Sequence, residues 1–194
     1  MLNRPIGFAI ALAASLTVAA PASANEFEPA LRELAQTKIK ELMSNPEFIA
    51  AVRAQNEKHA GLSQADIESM DQAWRGEVGS SSTPTIDSVV QTPVAEMLRS
   101  AAEESEGLFT EIFLMDNHGL NVAASDTTSD YWQGDEAKWQ QTFGAGADAV
   151  HISEVELDES TQSYQSQISV SVVDPATNEP IGAATFGVSV ELLN

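Results

Sequence analysis

The hydrophobic period of this sequence changes once, near residue 108, from helical to alternating. That change constrains the fold more than any other feature, because a 3.6-residue stripe and a 2-residue stripe bury different elements. Upstream, Leu31, Leu34, Ala35, Ile39 and Leu42 recur at helical spacing. Asn45 and Pro46 mark a stop and a restart, Asn as a cap and Pro at a first helical position. The second helix carries Phe48, Ile49 and Val52 and ends near Gly61. Ser63 and Asp66 have the spacing of a capping box, and Ile67, Met70 and Trp74 share one face of the helix they open. Gly76, Gly79 and the serines at 80–82 predict a flexible break. A fourth apolar stretch, from Val89 to Ala101, is expected to be interrupted at Pro93.

Downstream, FTEIFLM (109–115) predicts a strand, and Asp116, Asn117, His118 and Gly119 supply the turn that leads into a second strand at 120–125. A short helix is expected over 135–143, closed by Gly144 and Gly146. Strands follow at 150–157, 164–173 and 181–192, the last two joined by the polar loop at 174–180. The expected fold class is α+β, with helices packed on one five-stranded antiparallel sheet. The length suits one globular domain, helical over 25–107 and sheet-forming over 108–194.

Residues 1–24 have their own logic: Arg4, an apolar run over 6–20, then Ala22-Ser23-Ala24, an A-x-A cleavage pattern. They read as an export signal, which predicts a periplasmic protein. The run is shorter than the ~20 residues of a membrane span, and no second one follows, so no membrane insertion is expected after cleavage. The formal net charge of −20 disfavours nucleic acid and anionic membranes as partners and fits either a cationic ligand or simple solubility. Cysteine is absent, which excludes disulfides, thiolate metal sites and cysteine nucleophiles.

The segment DYWQGDEAKW (130–139) is the leading candidate site. Tyr131, Trp132 and Trp139 offer apolar, cation-attracting faces, while Asp130 and Asp135 supply charge; Asp135 and Trp139 would share a helix face. The same aromatics could instead plug the open end of the sheet. On the later strands, Gln167, Ser169 and Ser171 alternate with Ile168, Val170 and Val172, so a polar face either lines a ligand cavity or meets water. Ala183, Thr185, Gly187 and Ser189 form a small-residue face that admits a helix or a ligand closely. Asp126, Thr128 and Asp130 resemble an oxygen-rich calcium loop, but Tyr131 stands where that loop needs glycine. His59, His118 and His151 lack zinc-ligand spacing, so no metal and no cofactor is expected. No nucleophile elbow, phosphate loop or dinucleotide fingerprint is present, and the expectation is a binding module, not an enzyme.

Three stretches carry a resemblance: EIFLMDNHGLNVAAS (111–125), TSDYWQGDEAKW (128–139) and VVDPATNEPIGAATFGVSV (172–190). Together they resemble the extracytoplasmic Cache or PDC sensor domains, here as a soluble, stand-alone periplasmic member. The resemblance implies a PAS-like sheet preceded by long helices. It also implies a small metabolite bound between the sheet and the segment joining strands two and three, with signal transduction as the role. Asp174 would hold a ligand ammonium, or else simply start its turn. A membrane sensor kinase or chemoreceptor would be the partner, and the amino-terminal helices would support a homodimer. The alternative function is a periplasmic accessory protein that docks a partner without any small ligand.

Overall fold

The structure is a computed structural model that describes residues 25–158 and 163–193. The export-signal reading of 1–24 lies outside the described residues. The helical layer opens with α1 (Glu28–Leu34), a π-helical turn (Ala35–Ile39) and α2 (Lys40–Met43), which run on without a break in helical dihedrals. Next comes α3 (Pro46–His59), where the Asn45 side chain accepts from the Glu47 N–H and Pro46 sits at the helix start. The box expected at the next helix is present: Ser63 and Asp66 cap each other reciprocally at the start of α4 (Gln64–Glu77).

Pro93 does not break a helix; it begins one. α5 (Pro84–Val90) ends at Gln91, and α6 (Pro93–Glu104) starts with Thr92 capping the Ala95 N–H and proline at the first turn. A proline lacks only a donor that the first turn leaves unpaired anyway. Gly76 likewise falls inside α4, so the flexible break begins later than the glycines suggested.

The sheet contains β1 (Phe109–Met115), β2 (Asn121–Ala124), β3 (Val150–Ile152), β4 (Glu156–Asp158), β5 (Ser163–Val173) and β6 (Pro180–Ser189). Every ladder is antiparallel, in the order β2-β1-β6-β5-β3, with β4 also on β5. The α+β expectation stands, with the amino-terminal helices packed on an antiparallel sheet. The expected single strand at 150–157 is instead two, because the chain leaves the ladder after Ile152 and rejoins β5 at Glu156. Among the described residues the sheet therefore has six strands, not five. A short helix, α7 (Ala137–Gln140), lies in the connection from β2 to β3.

One face of the sheet carries Ile112 and Leu114 of β1, Ile168, Val170 and Val172 of β5, and Ala184, Phe186 and Val188 of β6. They form one core with Leu31, Ile39, Phe48, Val52 and Leu98 of the helices. Each such large side chain, fully buried, contributes about 1.5–3 kcal/mol. Gly182 admits this contact, since a Cβ there would collide with the Met115 carbonyl and the Val52 side chain. The opposite face carries Phe113, Met115 and Ala183 in a second cluster with Trp74, Ile86, Val89 and Tyr131.

Candidate functional site

The turn between β1 and β2 is built around Asp116, which is fully buried. Its Oδ1 accepts the backbone N–H of His118 (2.8 Å) and Leu120 (3.0 Å), while Oδ2 accepts Gln55 Nε2 (3.0 Å) and lies 2.8 Å from His59 Nδ1. Gln55 and His59 come from α3, so the helical layer holds the turn from behind. Asn56 adds two bonds on the same side, to the Asn117 N–H and the Ile181 carbonyl.

The 130–139 segment is pinned in front of this turn. Trp132 Nε1 donates to the His118 carbonyl (2.9 Å) and Trp139 Nε1 to the Asp116 carbonyl (3.1 Å). Glycine makes the approach feasible: Gly119 has φ +84°, and a Cβ on it would overlap the Gly134 backbone. From the other side, Asp71 of α4 accepts the Tyr131 and Trp132 N–H groups at 2.9 and 3.1 Å. Arg75 then links Asp71 (2.7 Å) to Asp130 (3.1 Å). The hydrogen bond with Asp71 and its charge raise the Arg75 pKa, with smaller help from Asp130 and Asp135. Tyr131 stacks on Trp74 with centroids 5.4 Å apart, and burial followed by the Asp116 charge drives its hydroxyl pKa well above the ordinary phenol value.

Five of the six expected site residues are thus brought together: Asp130, Tyr131, Trp132, Asp135 and Trp139. Their chemistry is largely spent on the fold. Asp130 is paired with Arg75, Tyr131 is buried in the second cluster, and both indole N–H groups hold the turn. Asp135 is exposed. Asp174 stands apart, ion-paired with Arg53 of α3 and bonded to the Ala176 N–H of its own hairpin (2.8 Å). That backbone hydrogen bond is the largest influence holding its carboxyl below the usual range, with Arg53 assisting against desolvation.

The sheet beneath the segment is polar and shut off from water. Ser169 and Thr185 are both fully buried and bond each other at 2.9 Å. Ser171 donates to the Gly146 carbonyl (2.7 Å). Of the two alternatives for this polar face, exposure to solvent is excluded for these residues. Lys138 extends over the same face: its Nζ lies 5.6 Å from the Phe113 ring centroid and 3.0 Å from Glu136, and the side chain is only 15% exposed. His151 stands at the rim, bonded to Gln141 (3.1 Å), with its pKa lowered by desolvation first and by Lys138 second. Lys138 escaped the sequence reading although a signal existed. It is the only lysine or arginine after Arg99.

Two cavities open elsewhere on the surface, of about 640 and 550 Å³, and none of the six expected residues lines either. Among the described residues, no cluster of His, Asp and Glu could hold a metal ion, and no helix is long and apolar enough to cross a membrane.

No family model matches the chain, and no curated protein matches it. Among solved structures it is similar to the ligand-binding domain of the Campylobacter jejuni chemoreceptor Tlp3 in complex with 4-methylisoleucine. That match is 13% identical and covers 86% of this chain and 61% of the other, with a TM-score of 0.40. The V. cholerae histidine kinase DctB sensor domain is 12% identical over 85% of this chain and 58% of its own, with a TM-score of 0.36. The ligand-binding domain of the Pseudomonas fluorescens chemoreceptor CtaA with L-serine is 14% identical over 84% and 62%, with a TM-score of 0.39. The chain spans about three fifths of the length of these structures.

Proposed function

We propose that this protein is a sensory ligand-binding module that holds a small polar metabolite between its sheet and the 130–139 segment. Its loaded state is read by a membrane sensor kinase or chemoreceptor in the periplasm. The observation that carries the reading is Lys138, the sole lysine or arginine of the sheet-forming half, laid over a buried polar face. A layer interface needs only apolar contacts. Ser169 and Thr185 satisfy each other and Lys138 pairs with Glu136, so these groups are buried without losing a partner. A ligand carboxylate would replace Glu136 on Lys138, and Trp139 with Phe143, stacked at 5.1 Å, would wall the apolar end. The ligand expected is therefore carboxylate-bearing, because Asp130 and Asp174, two of the three acids expected to attract a cation, are already occupied by Arg75 and Arg53.

Thermal unfolding of the purified protein across amino acids, organic acids and amines tests this. A ligand at a hundred times its Kd adds about 2.7 kcal/mol of stability. The expected result is a saturable rise in Tm for a carboxylate that Lys138→Gln abolishes. A flat response from folded protein overturns it and favours docking without a ligand. That second reading draws on Leu157 and Tyr164, cross-strand neighbours that are 48% and 52% exposed.

A further inference from the structure

The cavity of about 550 Å³ lies at the edge of the sheet, away from the aromatic segment, and its walls come from two parts of the chain. One wall is the π-helical turn with α2; the other is the approach to β3, the end of β5 and the hairpin that follows. Its floor is apolar, from Ala35, Met43, Ile49 and Val170, all buried. Ala35 and Ile39 turn into the core, while Gln36 and Lys40, four residues apart, are exposed on the helix wall.

The cavity also borders the end of β5 that β3 does not pair. β3 pairs with β5 only as far as Val150 opposite Val170, whereas β5 runs on to Val173. Ser171 and Val173 both line the cavity. Beyond Val170 this edge has no β3 partner; Ser171 is buried and bonded to the Gly146 carbonyl, and Val173 is the partly exposed residue beside the apolar trough.

Opposite charges flank this trough. Lys40 stands on the helix wall and Asp148 on the sheet wall; both are exposed, and neither makes an ion pair among the described residues. Arg32, Arg53, Arg75, Arg99 and Lys138 are each paired with a carboxylate; Lys38 and Lys58 are unpaired like Lys40 among the described residues, but neither lines the cavity. The hairpin's own acid, Asp174, is taken by Arg53, so it does not compete for Lys40. The net charge of −20 repels anions at a distance, which favours a neutral zwitterion over a simple carboxylate.

We infer that this edge cavity binds a short zwitterionic peptide, its carboxylate at Lys40, its ammonium at Asp148, and its apolar middle on the Met43–Ile49–Val170 floor. The volume falls in the ~300–1,000 Å³ range of small-molecule sites and gives room for a few residues. This site is separate from the one under the 130–139 segment.

Calorimetric titration of the purified protein with trialanine, and with its N-acetylated, C-amidated form, tests the inference. Trialanine should bind saturably, and Lys40→Gln and Asp148→Asn should each weaken it about tenfold, one charge-assisted contact apiece. The capped peptide should not bind. Both variants alter exposed, unpaired side chains, so unchanged thermal unfolding is expected of them. No binding by trialanine overturns the inference, as does equal binding of the capped peptide or equal affinity in both variants. Trialanine binding that Lys138→Gln abolishes while both edge variants retain it also overturns the inference, yet leaves the proposed function standing.

Discussion

His59 Nδ1 lies 2.8 Å from Asp116 Oδ2 in the interior of the protein, where helix α3 meets the turn that carries both tryptophan contacts. Asp116 satisfies two backbone N–H groups, one amide and one imidazole. Its removal takes the partner from the buried Leu120 N–H and His59 Nδ1 and from the part-buried His118 N–H, while Gln55 keeps the Leu120 and Asn121 carbonyls. Asp116→Ala is expected to cost about 2–4 kcal/mol, from the ~1–3 kcal/mol lost for each buried polar group left without its hydrogen-bond partner. Urea denaturation measures it, and a loss below about 1 kcal/mol would show that the network contributes little.

Asp71 is the anchor of the aromatic segment on α4. Asp71→Ala leaves the Tyr131 and Trp132 amides without their acceptor, and a loss of about 2 kcal/mol is expected. Hydrogen exchange gives the local readout: protection should fall across 130–133 and stay unchanged in α3. For the same reason Trp132→Ala is a poor probe of ligand binding, since it would loosen the turn itself.

Two glycines should respond in opposite directions to alanine. At Gly119, φ is +84° and the new methyl would meet the Gly134 backbone, so a loss of several kcal/mol is expected. At Gly76, inside α4, a Cβ meets nothing within 4 Å, and Gly76→Ala should gain about 0.5–1 kcal/mol. Paired chemical denaturation checks both.

His151 should titrate below the ordinary histidine value of 6.5, because desolvation and then Lys138 disfavour its charged form. In the unfolded chain it takes up its proton at the higher pH. Its contribution to stability therefore falls as pH drops through 6.5 and levels off below the lowered folded value. An NMR titration of the ring protons in the wild type and in Lys138→Gln separates the causes. The variant should move only part of the way back, since burial is the larger influence.

The secondary structure was largely legible because its signals are local. Leu31, Leu34 and Ile39 at helical spacing, the Ser63–Asp66 box, and the alternation of Ile168, Val170 and Val172 needed no knowledge of distant contacts. Pro93 misled because proline reads alike as a helix breaker and as a first-turn residue, and only Thr92's bond to Ala95 distinguishes the two. The split at 150–157 was hidden because pairing depends on β5, not on the segment's own residues.

By itself the sequence determined the fold class, the order of elements and the segment in which aromatics and acids meet, all of which follow from spacing along one chain. Tertiary structure decided which of those groups remain available. Arg75 lies 55 residues before Asp130, and Arg53 is remote from Asp174, yet each neutralises its acid. Whether a side chain can bind a ligand depends on what already occupies its hydrogen bonds and charge, and those partners come from elsewhere in the chain. The same reason left Lys138 unread as the cation over the buried Ser169–Thr185 face and left Lys40 and Asp148 unread as a pair. Their neighbours are set by packing, which sequence spacing does not record.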